Sequence, residues 1–133
     1  MIYALDTNII SYILNGDRAL AEKLDAITKS GGQVIMPLIV YYEARRGLLA
    51  NNATNKLCKF DKLSARLEIN SLTVADMKTA VEIYVNRKQR GIMIDDADLL
   101  IAAQCLTNKY TLVTNNTKHF EMINGLLIEN WVR

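Results

Sequence analysis

An α/β domain around a central, mainly parallel sheet is predicted by three features of this sequence. Short apolar, β-prone runs alternate with segments whose apolar residues recur at helical spacing. That alternation is the signature of strands joined by helical crossovers. The chain's 133 residues, 50% apolar and 23% charged, suit one ordinary globular core, and residues 1–133 are read as a single domain.

Met1–Leu5 is an uninterrupted apolar run ended by an acid, as in a strand buried on both faces. Ile9, Ile10, Ile13 and Leu14 then share a helix face until Asn15-Gly16. Asp17 can cap a second helix, with Leu20, Leu24 and Ile27 on one side and Gly31-Gly32 at its end. Gln33–Met36 reads as a strand closed by Pro37, the chain's only proline. Helices follow over about 38–50 and 54–67, separated by Asn51-Asn52, the second with Leu57, Phe60 and Leu63-Ser64 as its inner stripe. Leu67–Leu72 is a weak strand. Thr73 caps a long helix to Gly91, with Val74, Met77, Val81 and Tyr84 expected to face inward. A short apolar helix over 95–108, a strand over 110–114 and an edge strand over 126–128 complete the chain.

Several classes are excluded at this level. No apolar run approaches the ~20 residues that span a bilayer, and the apolar start stops at Asp6 before it could act as a signal peptide. A cytoplasmic protein is expected. Cys58 and Cys105, two cysteines in helix-like stretches, read as free buried thiols. His119 is the only histidine, which argues against a cysteine–histidine zinc site and against a Ser–His–Asp triad served from a loop.

Net charge is only +2, but its distribution is uneven. Residues 44–66 hold Arg45, Arg46, Lys56, Lys59, Lys62 and Arg66 against one acid, Asp61, and residues 86–91 add Arg87, Lys88 and Arg90. Asp95, Asp96 and Asp98 crowd together just beyond. Such a pattern fits either a metal site facing a polyanion or two solvated helix faces beside a cap.

Asp6 ends the first strand, and in open α/β sheets ligands bind beyond the carboxyl ends of strands. The residue is equally suited to capping the next helix. Glu43 lies at the border of a packed helix face, where an i,i+3 pair with Arg46 is the alternative. Asp98 heads the apolar stripe of Ile101, Ala102 and Cys105, with Asp95 and Asp96 better placed as caps, so a cation would relieve three crowded acids. Thr114-Asn115-Asn116 ends a strand on the same edge as Asp6 and offers neutral oxygens or an ordinary turn. Oxygen donors without cysteine or histidine point to Mg²⁺ or Mn²⁺, a setting for phosphodiester hydrolysis. With three of the 14 acids compensated by cations, 11 remain against 16 bases, which favours a nucleic-acid substrate.

Leu5-Asp6-Thr7-Asn8, Glu43 with Gly47-Leu48, Asp98 through Ala103, and Leu112 through Asn116 resemble the motifs of PIN-domain ribonucleases. The stretch from Phe120 through Gly125-Leu126 to Asn130-Trp131 is similar to that of VapC toxins of bacterial toxin–antitoxin pairs, so the resemblance spans residues 2–131. It implies an α/β/α three-layer sandwich and a Mg²⁺- or Mn²⁺-dependent endoribonuclease that leaves 5′-phosphate and 3′-hydroxyl ends. Asp6, Glu43 and Asp98 carry over as the acidic triad. Asn116 stands where many members have a fourth acid, and Glu121 is a candidate substitute. Thr7 and Thr114 match supporting polar positions, with Asp96 beside them. Arg45, Arg46, Arg87, Lys88 and Arg90 are candidate RNA contacts. A VapB-like antitoxin and a second toxin copy, forming a homodimer, are the implied partners. Ile9, Tyr12, Ile13, Leu20, Leu24, Leu48, Leu49 and Leu57 would serve an antitoxin groove or simple core packing.

Rival readings are a catalytically weakened PIN-fold module that binds RNA or antitoxin, and an aspartyl phosphatase. The latter needs a second acid where Asn8 stands, and a nucleotide-binding Rossmann domain lacks its glycine-rich loop.

Overall fold

The computed structural model describes residues 1–132. Five parallel strands form one sheet in the order β3-β2-β1-β4-β5. They are β1 (Ile2–Leu5), β2 (Gln33–Pro37), β3 (Glu68–Asn70), β4 (Thr111–Val113) and β5 (Leu127–Glu129). The chain winds outward from β1 to β3, then returns to place β4 on the other side of β1. The C-terminal ends of β1 and β4 therefore form the topological switch point where open α/β sheets carry their crevice.

Helices α1 (Thr7–Leu14) and α2 (Arg18–Lys29) link β1 to β2, and α3 (Leu38–Ala50) and α4 (Thr54–Arg66) link β2 to β3. Helices α5 (Val74–Gln89) and α6 (Asp96–Asn108) make the return, and the one-turn α7 (Thr117–Phe120) precedes β5. Right-handed crossovers place the first four helices on one face and α5 and α6 on the other, giving the expected three layers. The core between them is apolar, with Leu5, Ile35 and Leu112 from the strands and Ile9, Phe60 and Ile101 from the helices all fully buried. No described helix is long and apolar enough to cross a membrane.

Helix starts follow local chemistry. Asp17 caps α2 by accepting from Leu20 N at 3.1 Å. Thr73 caps α5 in a full capping box with Asp76, whose carboxylate reaches back to Thr73 N at 2.9 Å.

Four expectations change. Helix α5 is rotated: Asp76, Ala80, Ile83 and Arg87 face the core, whereas Val74, Met77, Val81 and Tyr84 are exposed. The capping box and the Asn108 Nδ2 bond to Asp76 Oδ1 (3.1 Å) fix this rotation, and the small Ala80 then permits close α5–α6 packing. Pro37 belongs to β2 rather than following it. Cys58 is exposed and only Cys105 is buried, because α4 turns Phe60 and Leu63 inward instead. Ile9, Leu20 and Leu24 are consumed by the core, which leaves Tyr12, Ile13, Leu48 and Leu57 half-buried and Leu49 exposed.

Candidate metal centre

Asp6 leaves β1 with its N–H donating to Val113 O of β4 at 2.9 Å. Its carboxylate is buried at the switch point and collects three donors. Thr7 N donates to Oδ1 at 2.8 Å, while Asn8 Nδ2 (3.0 Å) and Thr114 Oγ1 (2.8 Å) donate to Oδ2. Asp6 is thus both the N-cap of α1 and the acid at the crevice, so the two sequence readings are compatible. Asn8 also accepts from Asn115 N at 3.0 Å, which ties the start of α1 to the end of β4. Thr114 is fully buried, and its hydroxyl accepts from Asn116 N at 3.0 Å. Its oxygen thus links Asp6 to the start of the loop after β4.

Glu43 stands on α3 and accepts from Thr7 Oγ1 at 2.8 Å, linking it to the residue beside Asp6. Its pair with Arg46 is long, at 3.9 Å, and half in solvent, so it contributes little. Asp98 lies in the first turn of α6, with Oδ2 3.1 Å from His119 Nδ1. Asp95 occupies the N-cap position but its side chain makes no capping bond, contrary to the sequence expectation; Asp96 follows in the first turn.

Burial raises the Asp6 pKa, opposed by the Thr114 and Thr7 bonds, and Asp98 raises it further by repulsion. Burial likewise raises that of Asp98, opposed by His119 and reinforced by Asp95 and Glu43. The acids therefore act on one another across segments far apart in sequence. A cation is what would let all of them ionise together.

Among the described residues, no three acidic, histidine or cysteine side chains stand close enough to enclose an ion by themselves. An all-oxygen set offering one or two carboxylates, with water filling the rest, is the habit of Mg²⁺. Asp6 and Asp98 fit direct ligation, and Glu43, anchored on Thr7, fits contact through water.

Asn116 joins the site through its backbone N–H, and its side chain is exposed. Glu121 is exposed at the end of α7 and makes no side-chain bond to the acids. Arg45 is held by Asp61 at 2.6 Å, away from the acids. Arg46 stacks on Tyr42 (4.9 Å) beside Glu43. Arg87 borders the cleft that contains Asp95 and Asp98, while Lys88 and Arg90 line neighbouring clefts. Sequence reasoning missed Asn8 as a clamp and set His119 aside. Asn8 carried a signal, an amide two residues after a strand-ending acid; His119 carried none, because its contact with Asp98 exists only once α7 folds against α6.

The sheet order and the acidic rim define an α/β/α domain of the PIN class. The PIN domain family profile matches residues 3–125, and the chain belongs to that family. It is 33% identical to the ribonuclease VapC2 of Rickettsia felis over 133 residues, covering 98% of each chain. The structure of the VapBC2 complex from Rickettsia felis bound to a promoter DNA fragment superimposes with a TM-score of 0.92 at 32% identity, covering 99% of this chain and 100% of the other. That of VapBC-1 from nontypeable Haemophilus influenzae gives 0.87 at 27% identity over the whole of both chains.

Proposed function

We propose that the protein is a metal-dependent endoribonuclease of the VapC kind, the toxin half of a type II toxin–antitoxin pair. The observation that carries this reading is the coupling of acids from three separate segments at one sheet edge: Glu43 bonds Thr7 beside Asp6, and Asp98 raises the Asp6 pKa by repulsion. The full-length similarity to ribonucleases named VapC supports it.

Asp6 and Asp98 would hold Mg²⁺ or Mn²⁺, with Glu43 reaching it through water. The bound ion would lower the pKa of a water for attack and stabilise charge on the phosphodiester. Glu43, held by Thr7 at 2.8 Å, would take the proton of the attacking water. Thr114, Asn8 and the Asn116 N–H fix the Asp6 carboxylate. Attack in line at phosphorus breaks the P–O3′ bond and leaves 5′-phosphate and 3′-hydroxyl ends.

The test is cleavage of end-labelled total RNA with Mg²⁺, with Mn²⁺ and with EDTA, beside Asp6→Asn. Discrete fragments that need the metal and vanish in the variant are expected. Ends bearing 2′,3′-cyclic phosphate would contradict the mechanism. Binding without cleavage under every condition would favour the weakened-module reading, to which the uncharged Asn116 lends some weight.

The partner is a VapB-like antitoxin, as in the complexes of the similar proteins. A cleft of about 270 Å³ between α1, α3 and α4 is lined by Leu14, Gly47, Leu48 and Lys56 together with Thr7 and Glu43. A segment lodged there would cover the acids it silences. A second copy of the chain suits the outward stripe of α5, where Lys78 and Glu82 lie one turn apart on one flank. An antiparallel α5 pair would bring each onto the other across a two-fold axis. Val81→Glu should turn such a dimer into a monomer by sedimentation. A cytoplasmic location completes the proposal.

A further inference from the structure

Arg87 is almost entirely buried on the inner face of α5, yet its Nη2 finds no hydrogen-bond partner among the described residues. None of the ion pairs among those residues includes it. A buried guanidinium without an anion is costly, and an apolar residue of similar length would pack the same space at less expense. Elsewhere on the same helix face the fold does satisfy its charge: Asp76 receives Thr73 N and Asn108 Nδ2. The other buried side-chain atoms without a partner, Asn70 Oδ1 and Gln104 Oε1, are neutral amide oxygens, so Arg87 is the charged group among them and calls for an external partner.

Three clefts meet at this side chain, and one of them, about 220 Å³, also contains Asp95, Asp98, Lys118 and His119. It shares Asp98 with the acidic centre. We infer that this cleft is a phosphate subsite, in which Arg87 and Lys118 hold the backbone phosphodiester one step along the RNA from the bond that is cut. The assignment rests on the ribonuclease reading. A planar guanidinium can take two phosphate oxygens at once, and Lys118, exposed at the rim, adds a mobile charge. Asp95 and Asp98 line the same cleft and weaken its hold on an anion, so a cation at the metal centre should tighten it further. An acidic peptide would meet the same guanidinium, but the position beside Asp98 favours the strand being cut.

The test uses a fluorescein-labelled single-stranded oligoribonucleotide and the full chain in EDTA, with anisotropy measured from 50 to 200 mM salt. Arg87→Met should weaken binding by roughly tenfold or more. It should also reduce the slope of log K against log salt by about 0.7, the signature of one lost single-strand phosphate contact. Its melting temperature should hold or rise, since an unpaired buried charge is removed. Lys118→Ala, a change on the surface, should lower the slope similarly and keeps the test alive if Arg87→Met misfolds. With Mg²⁺, both variants should raise KM more than they lower kcat. Unchanged affinity, slope and KM in the two variants would overturn the subsite, as would intact RNA binding with lost antitoxin pairing. If instead the wild type leaves RNA uncut with every metal, the ribonuclease reading fails, while the salt slopes still report on Arg87.

Discussion

Two carboxylates are almost equally hidden in this molecule, Asp6 at the rim of β1 and Asp76 on the inner face of α5. Both sit at helix starts and both collect hydrogen bonds from backbone and side-chain amides. The difference is what else each one faces. Asp76 meets donors: Thr73 N on one oxygen and Asn108 Nδ2 on the other. Asp6 meets donors and also the field of Asp98, which raises its pKa on top of the effect of burial. A buried acid surrounded by donors holds a fold together, whereas one turned toward another acid is held ready for a cation.

The largest effect should come from exchanging the two roles by mutation. Asp98→Asn is expected to lower RNA cleavage about 10³-fold, by loss of metal affinity and of charge at the phosphodiester. Its melting temperature should not fall. Asp76→Ala should do the reverse, costing about 2 kcal/mol of stability as the capping box and the Asn108 contact lose their acceptor. Cleavage per folded molecule should then stay within about twofold, a change too small to count against a 10³-fold loss at the site. Initial rates on labelled RNA, read beside thermal melts, decide the matter; equal losses of activity in both variants would erase the distinction.

Next in size is Thr114→Val, which removes one of the three donors of Asp6 and keeps the shape. Cleavage should fall about tenfold, because a hydrogen bond to a charged group is worth about 1.5 kcal/mol or a little more. Asn8 Nδ2 and Thr7 N remain to hold the carboxylate. A loss as large as that of Asp98→Asn would mean that Thr114 does more than position Asp6.

The comparison also has a pH signature. Asp6 and Asp98 bind protons more tightly in the folded chain than in the unfolded one, since burial raises both pKa values. Their contribution to stability is therefore full below the unfolded carboxylate range and is lost as pH rises through the raised folded values. Relative to an Asp6→Asn, Asp98→Asn double variant, the metal-free wild type should lose melting temperature as pH rises from 4 to 7. Mg²⁺ should restore it in the wild type alone. A gap that does not change with pH would show that the two acids carry no strain.

The same contrast explains what was legible in the sequence. Asp6 could be read because an apolar strand ended by an acid fixes its own direction, and Asp98 because a charge heads an apolar helix stripe. Helix α5 misled because two stripes compete on it. Val74, Met77, Val81 and Tyr84 form the more apolar one, yet it faces out. The less apolar stripe wins because Asp76 must meet Thr73 and Asn108, and because Ala80 lets α6 approach. Hydrophobic spacing reports which residues can be buried, and partners for polar groups decide which of them are. No local pattern encodes those partners when they come from another helix, which is also why His119 was passed over.

The smallest effect is expected at Asn116, and it sharpens the contrast from the other side. Its backbone N–H donates to Thr114 Oγ1 at 3.0 Å, so it supports Asp6 whatever its side chain is. Asn116→Ala keeps that bond and should change cleavage less than about threefold, a difference below 1 kcal/mol. Glu121→Gln should be equally mild, since Glu121 is exposed and makes no side-chain bond to the acids. Asn116→Asp, by contrast, adds a carboxylate at the rim without burying it. If metal affinity is limited by the number of acids, that variant should need less Mn²⁺ for half-maximal cleavage than the wild type. If it is limited by how firmly Asp6 is held, the requirement should not move. A metal titration of the two proteins separates these cases, and an unchanged requirement would place the control of affinity with Thr7, Asn8 and Thr114, the donors around Asp6.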